Sequence, residues 1–191
     1  MSAAGSRAEF AELQERLLGE LTGTVLEIGA GRGRSLPLYP REVRWLGLEP
    51  DPQRRAQLTR IAARHGRHEP VLAGVAERIP LPDASVDAVV GRTVLCSVAD
   101  QAAVLAEVRR VLRPGGVYVF FEHVAAPPGS WLRRLQQLFA PLSRRLYHGC
   151  DPTRETWRSL ETADFSHLDL RWYAAVRWDL DARYIGGTAH R

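Results

Sequence analysis

The stretch Val25-Leu26-Glu27-Ile28-Gly29-Ala30-Gly31-Arg32-Gly33 runs from an apolar segment straight into glycines at every second position. Thr24–Ile28 reads as a strand buried on both faces, and the glycines let the backbone turn tightly and approach a ligand where any Cβ would collide. Working outward, Trp45–Leu48, Val71–Ala73, Val86–Val90 and Val117–Phe121 read as further strands. Helices are expected between them at Pro52–His65 and Asp100–Leu112. In the second, Val104, Leu105, Val108, Val111 and Leu112 recur at helical spacing, and Arg113-Pro114-Gly115-Gly116 is expected to stop the helix and turn the chain. Strands alternating with helices define an α/β class built on a doubly wound, mostly parallel sheet.

The flanks extend this pattern. Phe10, Leu13, Leu17 and Leu18 share one face of a helix expected within residues 1–22. After Glu122, Pro127-Pro128-Gly129 breaks the chain. Ser130–Leu146 then carries Trp131, Leu135, Leu138, Phe139 and Leu142 on one side, with arginine pairs near both ends. Asp151 as N-cap with Pro152 behind it predicts a further helix. Leu168–Val176 and Tyr184–Ala189 read as the last strands, the second antiparallel at or near the sheet edge, for up to seven strands in total.

Composition bounds the function. At 191 residues, 45% hydrophobic and 25% charged, the chain suits a single domain, 1–191, and is neither disordered, collagenous nor coiled-coil in character. No apolar run approaches the roughly 18–20 residues that span a bilayer, and Met1–Gly23 does not read as a signal peptide, so a cytoplasmic protein is expected. All 26 basic residues are arginine, and neither lysine nor asparagine occurs. The arginines scatter without an aromatic-interleaved stripe, so the net charge of +4 reads as a solvated surface rather than a nucleic-acid footprint. Two cysteines, Cys96 and Cys150, are too few for a disulfide framework or a zinc site, and no metal is expected.

Spacing separates possible cofactors. A dinucleotide loop is G-x-G-x-x-G and hands its pyrophosphate to a helix N-terminus. Here the loop is G-x-G-x-G with Glu27 two residues ahead, an arrangement that disfavours phosphate and suits an ammonium or sulfonium. Glu49, at the end of the second strand, is placed to accept hydrogen bonds from two ribose hydroxyls. Acid, glycine loop and second acid together describe an amino-acid-bearing nucleoside without phosphates, a description that S-adenosyl-L-methionine fits.

Four segments in order carry a resemblance: Val25–Gly33, Leu48-Glu49-Pro50-Asp51, Gly74–Asp87 and Val108–Gly116. They resemble the class I S-adenosylmethionine-dependent methyltransferases of the type 11 domain, whose Rossmann-like sheet has seven strands with helices on both faces. The resemblance implies that Glu27, Gly29, Ala30, Gly31 and Gly33 hold the methionyl part, that Glu49 and Pro50 hold the ribose, and that Ala76 and Glu77 flank the adenine. It also turns Arg92 and Thr93 toward the reactive end. Many relatives carry Asp where this chain has Val75, which passes the adenine contact to Glu77 or a backbone carbonyl.

Three more segments resemble a narrower group, the small-molecule thiol S-methyltransferases: Val94–Val98, Phe121–Ala126 and Gly149–Trp157. This chain departs from the animal members in beginning almost directly at the domain, without their hydrophobic anchor. The resemblance implies a small, apolar methyl acceptor, a thiol first, with O-, N- or C-methylation of a metabolite or quinone-like compound, or a non-catalytic cofactor-binding module, as alternatives. His123 is the first candidate to take or steer the acceptor's proton, with Glu122 orienting it or shaping the pocket; Asp151 and His148 are further candidates. Cys96 reads as a buried small residue and Cys150 as a pocket residue. Residues 127–163 are expected to form a lid with the apolar face of Ser130–Leu146 over the acceptor, a membrane-surface role being the less favoured reading.

Overall fold

Strands β1 (Thr24–Ile28), β2 (Arg44–Leu48), β3 (Val86–Arg92), β4 (Leu112–His123), β5 (His167–Ala174) and β6 (Arg183–His190) form one sheet in the order β2-β1-β3-β4-β6-β5. The structure is a computed structural model that describes residues 5–146, 149–174 and 183–191. β1 to β4 run parallel, and β6 lies antiparallel between β4 and β5. Because the first four strands are parallel, their C-terminal ends share one edge of the sheet, where ligands of open α/β sheets bind.

The apolar runs are continuous because both faces are covered. On one face Val25, Ala88, Val90, Val119 and Phe121 pack with Leu13 and Leu18 of α1 (Arg7–Gly19) and Leu58 and Ala62 of α2 (Pro52–Arg64). On the other, Leu26, Ile28, Val89, Tyr118 and Phe120 pack with Val104, Leu105 and Val108 of α3 (Gln101–Val111) and Leu160 of α5 (Thr156–Thr162). Side chains start the helices: Ser6 and Glu9 form a capping box on α1, Asp51 caps α2 and Asp100 caps α3.

Four expectations need correction. The sheet has six strands among the described residues, because Val71–Ala73 shrinks to a single parallel bridge, Leu72 with Leu48. Pro70 lacks the N–H that would continue this ladder two residues earlier. Arg113–Gly116 is not a turn ahead of β4: Leu112 already pairs with Val86, and the four residues bulge out before Val117 pairs with Ala88. The helix expected at Asp151 begins at Thr156, since the Asp151 carboxylate instead accepts from Thr153 N–H (2.9 Å) and Thr153 Oγ1 (2.6 Å) in a local turn. Finally, α4 (Trp131–Leu146) turns its apolar side outward. Trp131 is 71% and Leu138 73% exposed, while Gln136, Ala140 and Ser143 form the buried side. The polar Gln136 is drawn inward by hydrogen bonds to Ala126 N–H and the Val124 carbonyl. His148 and residues 175–176 lie outside the described residues.

Candidate active site

The loop after β1 holds three glycines in the left-handed region, Gly29 (φ +59°), Gly31 (φ +53°) and Gly33 (φ +65°). A Cβ on Gly29 would lie 2.8 Å from Val94 Cγ2, and one on Gly33 2.6 Å from Leu36 Cδ1. At Gly31 the nearest atom would be 3.6 Å away, so there the backbone angle alone asks for glycine. Ala30 between them is buried.

Glu49, 3% exposed, closes this loop from β2. Its Oε2 accepts from Gly31 N–H and its Oε1 from Asp51 N–H, both at 3.2 Å. Arg55 of α2 fixes the adjoining backbone by donating to the carbonyls of Glu49 and Pro50. Farther along the same edge, the Ala76 methyl is buried in the core, Glu77 accepts from Ala99 N–H at 2.9 Å, and Val75 is half exposed.

Glu27 is occupied differently from the expectation. Buried in the sheet, it accepts from Ser35 Oγ (2.7 Å), Trp45 Nε1 (3.0 Å) and Tyr39 OH (3.1 Å). Burial pushes its carboxyl above the usual range, against the pull of these donors and of Arg92. Arg92 in turn donates to Ser35 Oγ (2.8 Å) and Gln14 Oε1 (2.7 Å). Both residues therefore brace the loop through the protein's own groups, linking β1, β2, β3 and α1. Thr93 follows Arg92 with φ +54° on an exposed position, and its N–H donates to the Phe121 carbonyl at 2.7 Å. A β-branched residue in that region stores strain of about 1–3 kcal/mol.

Beyond Thr93 a second cluster assembles. Glu122, fully buried, accepts from the backbone N–H groups of Val94 (2.9 Å), Leu95 (3.0 Å) and Cys96 (3.2 Å). Burial pushes its pKa up to about 7, and the three N–H groups oppose that push. It thus holds the turn after β3 in place. The turn puts Cys96 Sγ 3.5 Å from Cys150 Sγ, which lies 3.5 Å from His123 Nδ1. The hydrogen bond with Cys96 pulls the Cys150 thiol below its usual range, His123 adding to the pull against burial, while the same bond and burial push Cys96 up. Of the two thiols, Cys150 is therefore the one more easily deprotonated. His123 is half-buried, with its ring on Tyr184 at 4.6 Å. Asp151 donates its N–H to the Cys96 carbonyl, and its carboxylate is engaged by Thr153 and by Arg144 Nε at 3.2 Å.

The fold thus brings Gly29–Gly33 and Glu49 together, and separately gathers Cys96, His123 and Cys150 next to Thr93. Val94 joins the two, lying against Gly29 while bonded to Glu122. Sequence reasoning missed the donors around Glu27 and the convergence of the two cysteines on His123. The available signal for the first was an acid inside an otherwise apolar strand, which must find buried donors.

Comparison with known proteins follows the same lines. The profile of a family described as a methyltransferase domain matches residues 26–120. The chain is 45% identical over 169 residues to thiol S-methyltransferase TMT1B of Homo sapiens, covering 86% of this chain and 69% of that protein. It is 39% identical over 191 residues to thiol S-methyltransferase TMT1A of Homo sapiens, covering 98% and 78%. Among solved structures, a putative methyltransferase of Bacillus halodurans superposes with a TM-score of 0.73 at 15% identity, covering 96% of this chain and 98% of that one, a likeness of fold.

Proposed function

The chain belongs to the methyltransferase-domain family and, within it, to the thiol S-methyltransferases, and on that premise we propose that it transfers the methyl group of S-adenosyl-L-methionine to the sulfur of a small, apolar thiol. The observation that carries this reading is the joined pair of sites, the glycine loop closed by Glu49 and the Thr93–His123–Cys150 corner at the same sheet edge.

The residues fit the cofactor. Gly29, Gly31 and Gly33 leave backbone without Cβ atoms where the methionyl part would lie, and Glu49 offers a buried carboxylate beside Gly31 for the ribose hydroxyls. Pro50 and Glu77 would lie along the run toward the adenine, with exposed Val75 supplying an apolar surface there and buried Ala76 supporting it from the core. When bound, the cofactor supplies an electrophilic methyl on a sulfonium. The protein's share is alignment and exclusion of water, effects able to contribute about 7–11 kcal/mol for well-oriented reactants. An acceptor thiol with an ordinary pKa near ~8.5 already provides some thiolate at neutral pH, and His123 stands where it can take or steer the proton. Asp151, held ionised by Thr153 and Arg144, is a poorer base.

Labelled S-adenosyl-L-methionine incubated with the protein and a panel of thiols, phenols and amines tests the reading. Label is expected in the thioethers of apolar thiols. Transfer to phenols or amines with none to thiols would overturn it in favour of O- or N-methylation, and tight cofactor binding without transfer to any acceptor would favour a binding module.

A further inference from the structure

The segments Val94–Val98, Phe121–Ala126 and Gly149–Trp157 are distant in the chain, yet each delivers one soft or borderline donor atom to the same point. The sulfurs of Cys96 and Cys150 and a ring nitrogen of His123 lie within 4.8 Å of one another. The cysteine count alone spoke against zinc, but the fold adds a histidine to the two sulfurs. We propose that these three side chains form a Cys2His site for a soft divalent cation, zinc first, whose fourth position takes the acceptor sulfur. This deepens the thiol reading and rests on it.

The distances suit that ion. With Zn–S near 2.3 Å and Zn–N near 2.0–2.1 Å, tetrahedral coordination places two sulfurs about 3.8 Å apart and a sulfur and a nitrogen about 3.6 Å apart. The observed separations are 3.5 Å for both Cys96–Cys150 and Cys150–His123. The ligands are supported from behind, as metal ligands commonly are. Three backbone bonds to Glu122 fix the turn that carries Cys96, and the Asp151 N–H bonded to the Cys96 carbonyl ties the Cys150 segment to it. Ser143 is buried on α4, and its hydroxyl has no hydrogen-bond partner among the described residues. His123 is the partly exposed member of the trio, so an external ligand reaches the cation from its side. Three protein ligands and an open fourth position are the pattern of catalytic rather than structural zinc.

The chemistry balances. On entering the fourth position the acceptor R–SH gives its proton to solvent and binds as R–S⁻. A lone pair of that sulfur forms the new S–CH3 bond while the methyl–sulfonium bond breaks, its electron pair remaining on the departing sulfur, which becomes neutral. The product is a neutral thioether, a weaker ligand than a thiolate, and is released. In the loaded protein His123 serves as a ligand, and the cation takes over lowering of the thiol's pKa.

The test loads the full-length protein with cobalt(II) in place of zinc under reducing conditions and titrates it with benzyl mercaptan. Expected are one equivalent of metal, a thiolate-to-cobalt charge-transfer band with intense tetrahedral d–d bands, and a further change of both when the mercaptan is added. Cys150→Ala should weaken metal binding by more than about 100-fold; His123→Gln provides a second variant should the first fail to fold. Failure of the wild-type protein to bind metal stoichiometrically would overturn the proposal, as would a Cys96–Cys150 disulfide as the isolated state under those conditions. Bands that ignore the mercaptan would make the site structural and overturn the acceptor role. Methylation assays with chelator-stripped protein separate the two readings. Full-rate thiol methylation without metal defeats this proposal alone, whereas no thiol methylation with or without metal defeats the thiol reading itself.

Discussion

The glycine loop and the cysteine–histidine corner sit side by side on one edge of the sheet, but they are made of different material. The loop is backbone: three residues without Cβ atoms in left-handed conformations, closed by one carboxylate on a main-chain N–H. The corner is side chain: two sulfurs, an imidazole and a buried glutamate whose bonds hold a turn in place. A backbone site tolerates almost no substitution at its glycines, because the cost is steric and immediate. A side-chain site depends on chemical identity, and its members change protonation with their surroundings.

Substitutions can break this contrast. The largest effect is expected for Gly29→Ala, which adds both a left-handed alanine and a Cβ 2.8 Å from Val94 Cγ2. Calorimetry should show affinity for S-adenosylhomocysteine reduced by more than about 100-fold, since each of these faults costs on the order of 1–3 kcal/mol. Unchanged affinity would mean that the loop can relax and is not a rigid cradle. Glu49→Ala comes next. Charge-assisted hydrogen bonds contribute about 1.5–3 kcal/mol, which corresponds to a loss of roughly 10- to 150-fold in the same titration.

A smaller effect tests how Glu27 supports the loop. Its carboxyl is raised by burial, so the folded protein keeps a proton that the unfolded chain releases at the ordinary glutamate value. The stability it lends is complete below about pH 4 and is lost as the pH climbs through the raised value. Urea midpoints of the wild type and of Glu27→Gln should therefore converge, or cross in favour of Gln, between about pH 4 and about pH 8. A gap that is the same at both pH values would show that the Glu27 carboxyl is not raised. The smallest effect belongs to α4. Trp131→Ser, at a position 71% exposed, should change stability by less than about 0.5 kcal/mol and leave the methylation rate alone; a large fall in rate would restore the lid.

Why one site was legible and the other was not follows from how each is encoded. The loop and Glu49 lie within one strand–loop–strand unit, where glycine spacing and strand ends are local properties that a sequence displays. β1, β2, α2 and α3 likewise emerge from local periodicity and caps. The corner exists only once the sheet is built, because Cys96 and Cys150 are 54 residues apart and meet through the parallel pairing of β3 with β4 and the path of the chain after α4. The direction of α4 was misread for a related reason. Its apolar stripe predicts burial, but the two carbonyl and N–H partners of Gln136 are supplied by the segment after β4, a tertiary fact that periodicity does not contain. Val71–Ala73 failed through a neighbour, Pro70, whose missing N–H ends the ladder after one bridge.

The central claim is that the loop delivers a methyl group to the corner. It is tested most directly by locating the sulfur in a crystal structure of the protein with S-adenosylhomocysteine bound. The account predicts the ribose on Glu49, the amino-acid end over Gly29–Gly33, and the sulfur opening past Thr93 onto His123 and Cys150 with no side chain between. A sulfur directed to any other part of the surface, or a ribose away from Glu49, would contradict it.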